Sequence, residues 1–309
     1  MSAASVRPRE ITAAIATTIV GQNDAVDALV LGVIAAGHIL LEGAPGVAKT
    51  LACRALASSI GGSFKRIQFT PDLLPSDIVG TRVFDQRSGD FTTVRGPIFA
   101  NIVLADEINR APAKVQSALL EGMQERRATI GLETLPFPTP FAVLATMNPL
   151  DGEGTYALPL AQLDRFLAKI DVRYPTLEEE REIVARYGAN EATLPEPIAS
   201  LADVAIWQTE ARAVFLDEKV RNYIVDLVRA TRSSRYIEHG ASPRAALALA
   251  ALARARAYLE DRPYVTPDDV RDLAPAALRH RLAFDYRLMA DGVASDEIVR
   301  EIVASVHAP

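Results

Sequence analysis

Cysteine is almost absent from this chain: of its 309 residues, only Cys53 carries a thiol. A single cysteine excludes an internal disulfide and any zinc site built on several cysteines. It also fits the reducing conditions inside a cell, where disulfides are rare. We therefore expect a cytoplasmic protein without internal disulfides.

Long hydrophobic runs are also missing. The longest apolar stretch, residues 28–37, is far shorter than the roughly 20 residues that a membrane-spanning helix needs. Residues 1–9 are polar and lack the apolar core of a signal peptide. We expect no membrane insertion.

Positive charge is not in excess, since 33 basic residues face 39 acidic ones and the net charge is −6. Non-specific binding to nucleic acid usually rests on a basic surface, so a nucleic-acid partner is not expected. The hydrophobic fraction of 49% and the charged fraction of 23% are those of a folded globular protein. At roughly 150 residues per domain, the length suggests two domains.

The first half of the chain alternates short apolar runs with helical patterns. The runs predict buried strands at 38–41, 66–69, 102–105, 141–146 and 166–172. Buried strands that alternate with helices are typical of a parallel sheet with helices on both faces. The sequence therefore predicts an α/β domain over residues 1–175.

Other segments depart from this alternation. Residues 81–95 and 126–140 each have the pattern of a β-hairpin, although ordinary surface loops remain an alternative. After residue 175 the pattern is helical throughout, and it opens with a capping box from Thr176 to Glu179. We expect a smaller all-α domain over residues 176–309.

A phosphate-binding loop is the strongest motif in the chain. It consists of Gly43, Ala44, Pro45, Gly46, Val47, Ala48, Lys49 and Thr50, between a predicted strand and a predicted helix. In that context the loop N–H groups and the helix N-terminus converge on phosphate oxygens. Lys49 would reach the β- and γ-phosphates, and Thr50 would place its hydroxyl on Mg²⁺.

One position departs from the usual pattern, because Ala48 stands where a second glycine is common. Glycine is required only where φ is positive. The alanine therefore predicts a nearly helical backbone at residue 48.

Polar side chains follow two later strands. Asp106 and Glu107 end the apolar run 102–105, and Asn148 follows the run 141–146. Asp106 would hold the metal, and Glu107 would orient and deprotonate the attacking water. Asn148 would bind that water or the γ-phosphate; turn formation by Asn-Pro is the alternative.

Six segments in order give the chain a family resemblance. They are Val20-Gly21-Gln22, Gly43 to Thr50, Asp106-Glu-Ile-Asn-Arg-Ala-Pro112, Ala145-Thr-Met-Asn-Pro149, Ala161-Gln-Leu-Asp-Arg-Phe166 and Gly240-Ala-Ser-Pro-Arg-Ala245. Together they resemble the AAA+ ATPases, and among these the MoxR family of the helix-2-insert clade. The resemblance implies that residues 1–175 form the ATPase core and that residues 176–309 form a helical lid.

The resemblance also implies roles that composition cannot assign. Arg165 looks like the arginine finger, which reaches the γ-phosphate of a neighbouring subunit, and Arg244 looks like sensor 2, which reaches the nucleotide of its own subunit. Arg110 is a weaker candidate for a second inter-subunit arginine, with capping or salt bridging as alternatives. Gly21 and Gln22 would lie near the base.

The function that this resemblance implies is Mg²⁺-dependent ATP hydrolysis in a homo-oligomer, most simply a hexameric ring. Hydrolysis would drive chaperone-like maturation of a protein partner, often one with a von Willebrand A domain. The two hairpins would be inserts that face the ring centre or the substrate. A metal-chelatase motor subunit, a nucleic-acid-remodelling ATPase and a nucleotide-gated scaffold remain alternatives.

Overall fold

The computed structural model describes residues 4–87, 89–149, 154–285 and 294–309. The helices are α1 (Pro8–Thr18), α2 (Asn23–Ile34), α3 (Lys49–Ser59), α4 (Pro75–Val79), α5 (Ala113–Glu125), α6 (Leu160–Leu163), α7 (Leu177–Tyr187), α8 (Leu201–Ala213), α9 (Glu218–Ser233), α10 (Pro243–Leu259), α11 (Pro267–Leu278) and α12 (Ser295–Ser305). The strands are β1 (Ile39–Glu42), β2 (Phe64–Gln68), β3 (Gly80–Asp85), β4 (Asp90–Arg95), β5 (Ile102–Asp106), β6 (Arg127–Ile130), β7 (Glu133–Pro136), β8 (Ala142–Met147), β9 (Ala168–Asp171), β10 (Ile237–His239) and β11 (Ala283–Phe284).

A parallel sheet lies at the centre of the first half, with the strand order β2, β5, β8, β1, β9. Its side chains alternate between two hydrophobic clusters, as a sheet covered on both faces requires. In β1, for example, Ile39 and Leu41 join one cluster while Leu40 joins the other. The predicted α/β architecture is confirmed.

The carboxyl ends of β1, β5 and β8 meet at one edge of this sheet. Glu42 pairs with Met147, and Ala105 pairs with Ala145. The phosphate-binding loop, the acidic pair and Asn148 each begin within two residues of these positions, so the sheet brings the three motifs together.

Both predicted hairpins are present as antiparallel pairs, β3 with β4 and β6 with β7. Ser88, in the predicted turn of the first, lies outside the described residues. On that hairpin the rings of Phe84 and Phe91 contact each other at a tilt, with their centroids 5.2 Å apart, and remain about half exposed. Phe137, beside the second hairpin, is buried.

The second half is helical, as predicted, apart from a short antiparallel pair formed by β10 and β11. The capping box at the start of α7 is confirmed: the Glu179 amide donates to Thr176 Oγ1 at 3.3 Å, and the Thr176 amide donates to the Glu179 carboxylate at 2.8 Å. Within the described ranges, no helix is long and apolar enough to cross a bilayer.

The lid packs directly on the N-terminal helices of the core. The Trp207 indole donates to the carbonyl oxygen of Val6 at 3.0 Å, and the Gln208 amide donates to that of Val33 at 2.8 Å. One hydrophobic cluster includes residues of α1, α2 and β1 together with residues of α8 to α11. Secondary structure thus changes near residue 175, while the hydrophobic core continues across that point.

Candidate active site

The phosphate-binding loop connects β1 to α3, as the motif predicted. At Gly43 a Cβ atom would lie 2.4 Å from the Val172 carbonyl oxygen, so only glycine fits there. Gly46 has a φ of 84°. The Lys49 ammonium donates to the carbonyl oxygens of Gly43 and Ala44, the latter at 3.0 Å.

The backbone at Ala48 differs from the nearly helical conformation that the sequence predicted. Its φ of 61° and ψ of 15° are left-handed, not helical. A Cβ in this conformation crowds the following carbonyl, which costs roughly 1–2 kcal/mol. The loop therefore keeps the backbone shape that a glycine would favour, and it carries strain beside the site.

Asp106 ends β5 and is almost fully buried. Thr146 Oγ1 donates to one carboxylate oxygen at 2.6 Å, and Arg66 Nε donates to the other at 2.9 Å. The Thr146 hydroxyl also accepts the backbone N–H of Glu107 at 2.8 Å. Arg66 and Thr146, to which no sequence motif assigned a role, thus hold the acidic pair from both neighbouring strands.

Glu107 adopts a left-handed conformation, with a φ of 56°. Its Oε2 accepts hydrogen bonds from Gln68 at 2.9 Å and from Arg110 at 3.0 Å. In this state Arg110 forms an ion pair within its own chain. Strained backbone at such a position is common in functional sites.

Asn148 is buried directly after β8, at the same sheet edge as the loop. Gly21 and Gln22 form a turn with positive φ before α2, and the Gln22 side chain donates to the Arg173 carbonyl at 2.8 Å. Arg173 follows the edge strand β9, next to β1. This turn therefore lies at the same sheet edge, beside the strand that leads into the loop.

The residues present fit a magnesium ion. Thr50 and Asp106 supply oxygen atoms, the ligands that Mg²⁺ prefers. Among the described residues no group of three or more His, Cys, Asp or Glu side chains forms a metal cage. Magnesium in nucleotide sites is commonly held by one or two protein ligands together with phosphates and water.

Arg165 and Arg244 lie at the other edge of the sheet. Arg165 precedes β9, and Arg244 is in the first turn of α10. Both line a cavity of about 310 Å³ with Gly37 and His38, which precede β1. A four-residue strand spans about 13 Å, so β1 separates this cavity from the phosphate-binding loop.

This position contradicts the expectation that Arg244 reaches the nucleotide of its own subunit. The core and the lid bring Arg244 beside Arg165 instead, and the whole height of the sheet lies between both arginines and Lys49. Among the described residues, neither arginine side chain has an ion-pair partner.

His38 lines this cavity, and its ring contacts two backbone groups. Its Nδ1 accepts the Val143 amide at 2.9 Å, and its Nε2 lies 3.2 Å from the Met123 carbonyl oxygen. Burial lowers the pKa of His38 to about 4, so the ring is neutral. Cys53 is also fully buried, which raises the pKa of its thiol and makes it an inert core residue.

Comparison with known proteins finds family models, sequence relatives and a solved structure that agree with one another. Residues 38–168 match the family model "ATPase family associated with various cellular activities (AAA)", and residues 229–302 match "AAA lid domain". The chain is 48% identical to Chaperone MoxR1 of Mycobacterium tuberculosis, over 94% of this chain and 79% of that protein. It is 44% identical to the uncharacterized protein YeaC of Bacillus subtilis, over 94% and 91%. A crystal structure of a protein assigned as an ATPase, from Cytophaga hutchinsonii, superposes with a TM-score of 0.91 at 43% identity, over 97% and 94%.

Proposed function

Because the chain belongs to the MoxR family of AAA+ ATPases, we propose that its ATP hydrolysis requires Mg²⁺ and is coupled to remodelling of a protein partner. One observation carries the mechanistic part of this proposal. The groups to which we assign phosphate binding and water activation lie at one edge of the sheet, and Arg165 and Arg244, which have no ion-pair partner among the described residues, lie at the other. On this assignment, a single chain contains two halves of an ATPase site, and these two halves do not contact each other.

ATP binding begins at Lys49. Its ammonium group would exchange the loop carbonyls for β- and γ-phosphate oxygens, while loop N–H groups bind the same phosphates. Thr50 and Asp106 would hold Mg²⁺, which neutralises phosphate charge when bound. Arg66 already balances the Asp106 carboxylate, so this pair would have to loosen before the metal can bind.

Water activation falls to Glu107. Gln68 and Arg110 both bind its Oε2, and within the described residues no hydrogen bond reaches Oε1. We assign Oε1 as the atom that takes the proton from the attacking water. Asn148, at the end of the neighbouring strand, would orient that water or the γ-phosphate.

Transition-state charge requires a cation near the γ-phosphate, and Arg165 is the candidate. Its distance from the loop of its own chain leaves the γ-phosphate of a neighbouring subunit as its target. Such an arginine finger contributes roughly 10³–10⁵ in rate. Repeated head-to-tail contacts of this kind close into a ring, for which we propose six subunits. Arg244, in the same cavity, would act on the same neighbour.

The proposed partner is a second protein. A relative named as a chaperone supports remodelling of a protein, and we propose a cytoplasmic partner with a von Willebrand A domain. The half-exposed pair Phe84 and Phe91 on the first hairpin is the surface that we assign to this contact.

Replacing the proposed base tests the chemistry. Glu107→Gln should keep ATP binding but lower hydrolysis by about 10²–10⁴-fold, the usual contribution of a general base. Phosphate release and nucleotide affinity are measured with Mg²⁺, with EDTA, and with EDTA followed by excess Mg²⁺. Glu121→Gln, at an exposed position of α5, is the matched control. Normal turnover of Glu107→Gln would remove Glu107 as the base, and turnover in EDTA would remove the Mg²⁺ requirement.

A further inference from the structure

Arg281 is a buried arginine of the lid whose hydrogen-bond donors are all directed inward. Its side chain is 2% exposed. Nε donates to the Asp164 carboxylate at 2.7 Å, and the terminal nitrogens donate to the carbonyl oxygens of Asp164 at 3.3 Å, Phe166 at 2.5 Å and Leu167 at 3.2 Å. One side chain therefore holds the backbone on both sides of Arg165.

Asp164 is held a second time from another part of the lid. Ser242 Oγ donates to the other carboxylate oxygen of Asp164 at 2.8 Å. The same hydroxyl accepts the backbone N–H of Arg244 at 3.1 Å, which caps α10. Asp164 thus connects the turn that carries Arg165 to the turn that carries Arg244.

The hydrogen bonds that Asp164 already accepts determine which groups remain for Arg165 to bind. Asp164 is the adjacent acid, and both of its carboxylate oxygens are occupied by Arg281 and Ser242. Across the described ranges no acid pairs with Arg165, and its Nε is buried without a hydrogen-bond partner. The cavity contains three guanidinium groups and one carboxylate, so it carries excess positive charge.

We propose that Arg281 is the positioning residue of the arginine finger. It fixes the turn of residues 164–167 against the lid and keeps the Asp164 carboxylate away from Arg165, so that Arg165 is available for the γ-phosphate of the neighbouring subunit. This inference rests on the proposed function, because it takes Arg165 to act between subunits. In this proposal a lid residue that lies away from the phosphate-binding loop of its own chain controls how much Arg165 contributes to the rate of ATP hydrolysis.

Arg281→Met keeps the apolar length of the side chain and removes its charge. Asp164 then becomes a carboxylate without its arginine, and Arg165, which adjoins it in the chain and lines the same cavity, is a cation that can neutralise it. We expect kcat for ATP hydrolysis to fall by about 10- to 100-fold, the cost of a small misplacement of a catalytic group. The affinity of each subunit for ATP should stay unchanged, because its own phosphate-binding loop lies at the other edge of the sheet.

A second substitution separates this role from a general loss of structure. Adding Asp164→Asn to Arg281→Met removes the carboxylate that would capture Arg165, so kcat should recover by at least threefold. Arg254→Met is the matched control: this lid arginine donates to the Val214 carbonyl and does not contact the turn of residues 164–167. Its kcat should equal that of the wild type.

Mixed oligomers provide the decisive test. Arg281→Met subunits should regain activity when mixed with Lys49→Ala subunits, because the defect of each lies on a different side of the shared site. Arg281→Met mixed with Arg165→Ala should regain none, because both defects lie on the same side. If Arg281→Met does not fold, Arg281→Lys, which keeps the charge but has fewer donors, is tested in the same mixtures.

The reference mixture, Lys49→Ala with Arg165→Ala, distinguishes failure of this inference from failure of the proposed function. No rescue in the reference mixture contradicts the inter-subunit finger itself. Rescue there, combined with rescue of Arg281→Met by Arg165→Ala and none by Lys49→Ala, overturns only the positioning role.

Discussion

Ala48 and Glu107 both place a side chain on left-handed backbone next to the proposed nucleotide site. Neither conformation is favourable for a residue with a Cβ, so the surrounding fold must impose it. At Glu107 the carboxylate accepts hydrogen bonds from Gln68, the last residue of β2, and from Arg110. At Ala48 the left-handed backbone reproduces a turn that many phosphate-binding loops form with glycine, and this position therefore offers a direct measure of the strain.

We predict that Ala48→Gly stabilises the protein by about 1 kcal/mol, because glycine adopts positive φ without a steric penalty. Urea unfolding of both proteins gives the difference in free energy of unfolding. Ala52→Gly, inside α3, is the matched control and should destabilise the protein by a similar amount. Destabilisation by Ala48→Gly would show that residue 48 is not left-handed.

His38 leads to a prediction on pH. Its pKa is about 4 in the folded protein, against an ordinary value of 6.5. The unfolded chain therefore binds the proton first, so the stability is complete above pH 6.5 and is lost as the pH falls toward 4. His38 alone should remove about 2 kcal/mol between pH 7 and pH 5.

The measurement compares urea unfolding of the wild type and of His38→Gln at pH 7 and pH 5. The decrease should be smaller in the variant by about the His38 contribution. Equal decreases in both proteins would show that another group, such as the buried His280, accounts for the pH dependence.

The residues that the sequence identified are those with a local signal. Lys49 and Asp106 follow apolar strands at motif spacing, and the structure gathers them at one sheet edge. Arg66, Thr146 and Arg281 had no such signal. Each acts through a partner that is distant in the chain, and the strand order or the lid packing decides which partner that is.

At the scale of elements, the strands and both hairpins could be predicted because short segments of sequence contain the apolar pattern of a buried strand and the residues that form turns. The sequence could not supply the short pair β10 and β11, whose strands come from segments more than 40 residues apart. It also misplaced Arg244. The helix that carries this arginine was recognised correctly, but the direction in which the lid presents it depends on packing between α10, α2 and α8.

The core and the lid share one hydrophobic cluster, which has a consequence for the whole molecule. The only tryptophan, Trp207, lies in the lid and hydrogen-bonds to Val6, while the only cysteine, Cys53, lies in the core helix α3. Both side chains are almost completely buried. These two residues report on the two halves of the chain separately.

We predict that the halves unfold together, because separating them would expose the shared cluster to water. Tryptophan fluorescence and labelling of the Cys53 thiol are followed across the same urea titration. The two midpoints should coincide. Two separate transitions, with the thiol protected after the tryptophan signal has changed, would show that the lid unfolds independently.

In the assembled molecule, the proposed ATPase site is completed by an arginine from the neighbouring subunit. The ATPase rate of an equimolar mixture of Lys49→Ala and Arg165→Ala subunits measures this completion. Each variant alone should be inactive, whereas random mixing pairs an intact loop with an intact finger at about a quarter of the interfaces. We expect about a quarter of the wild-type rate from the mixed oligomer. A mixture that assembles normally but stays as inactive as its components would contradict completion of the site between subunits.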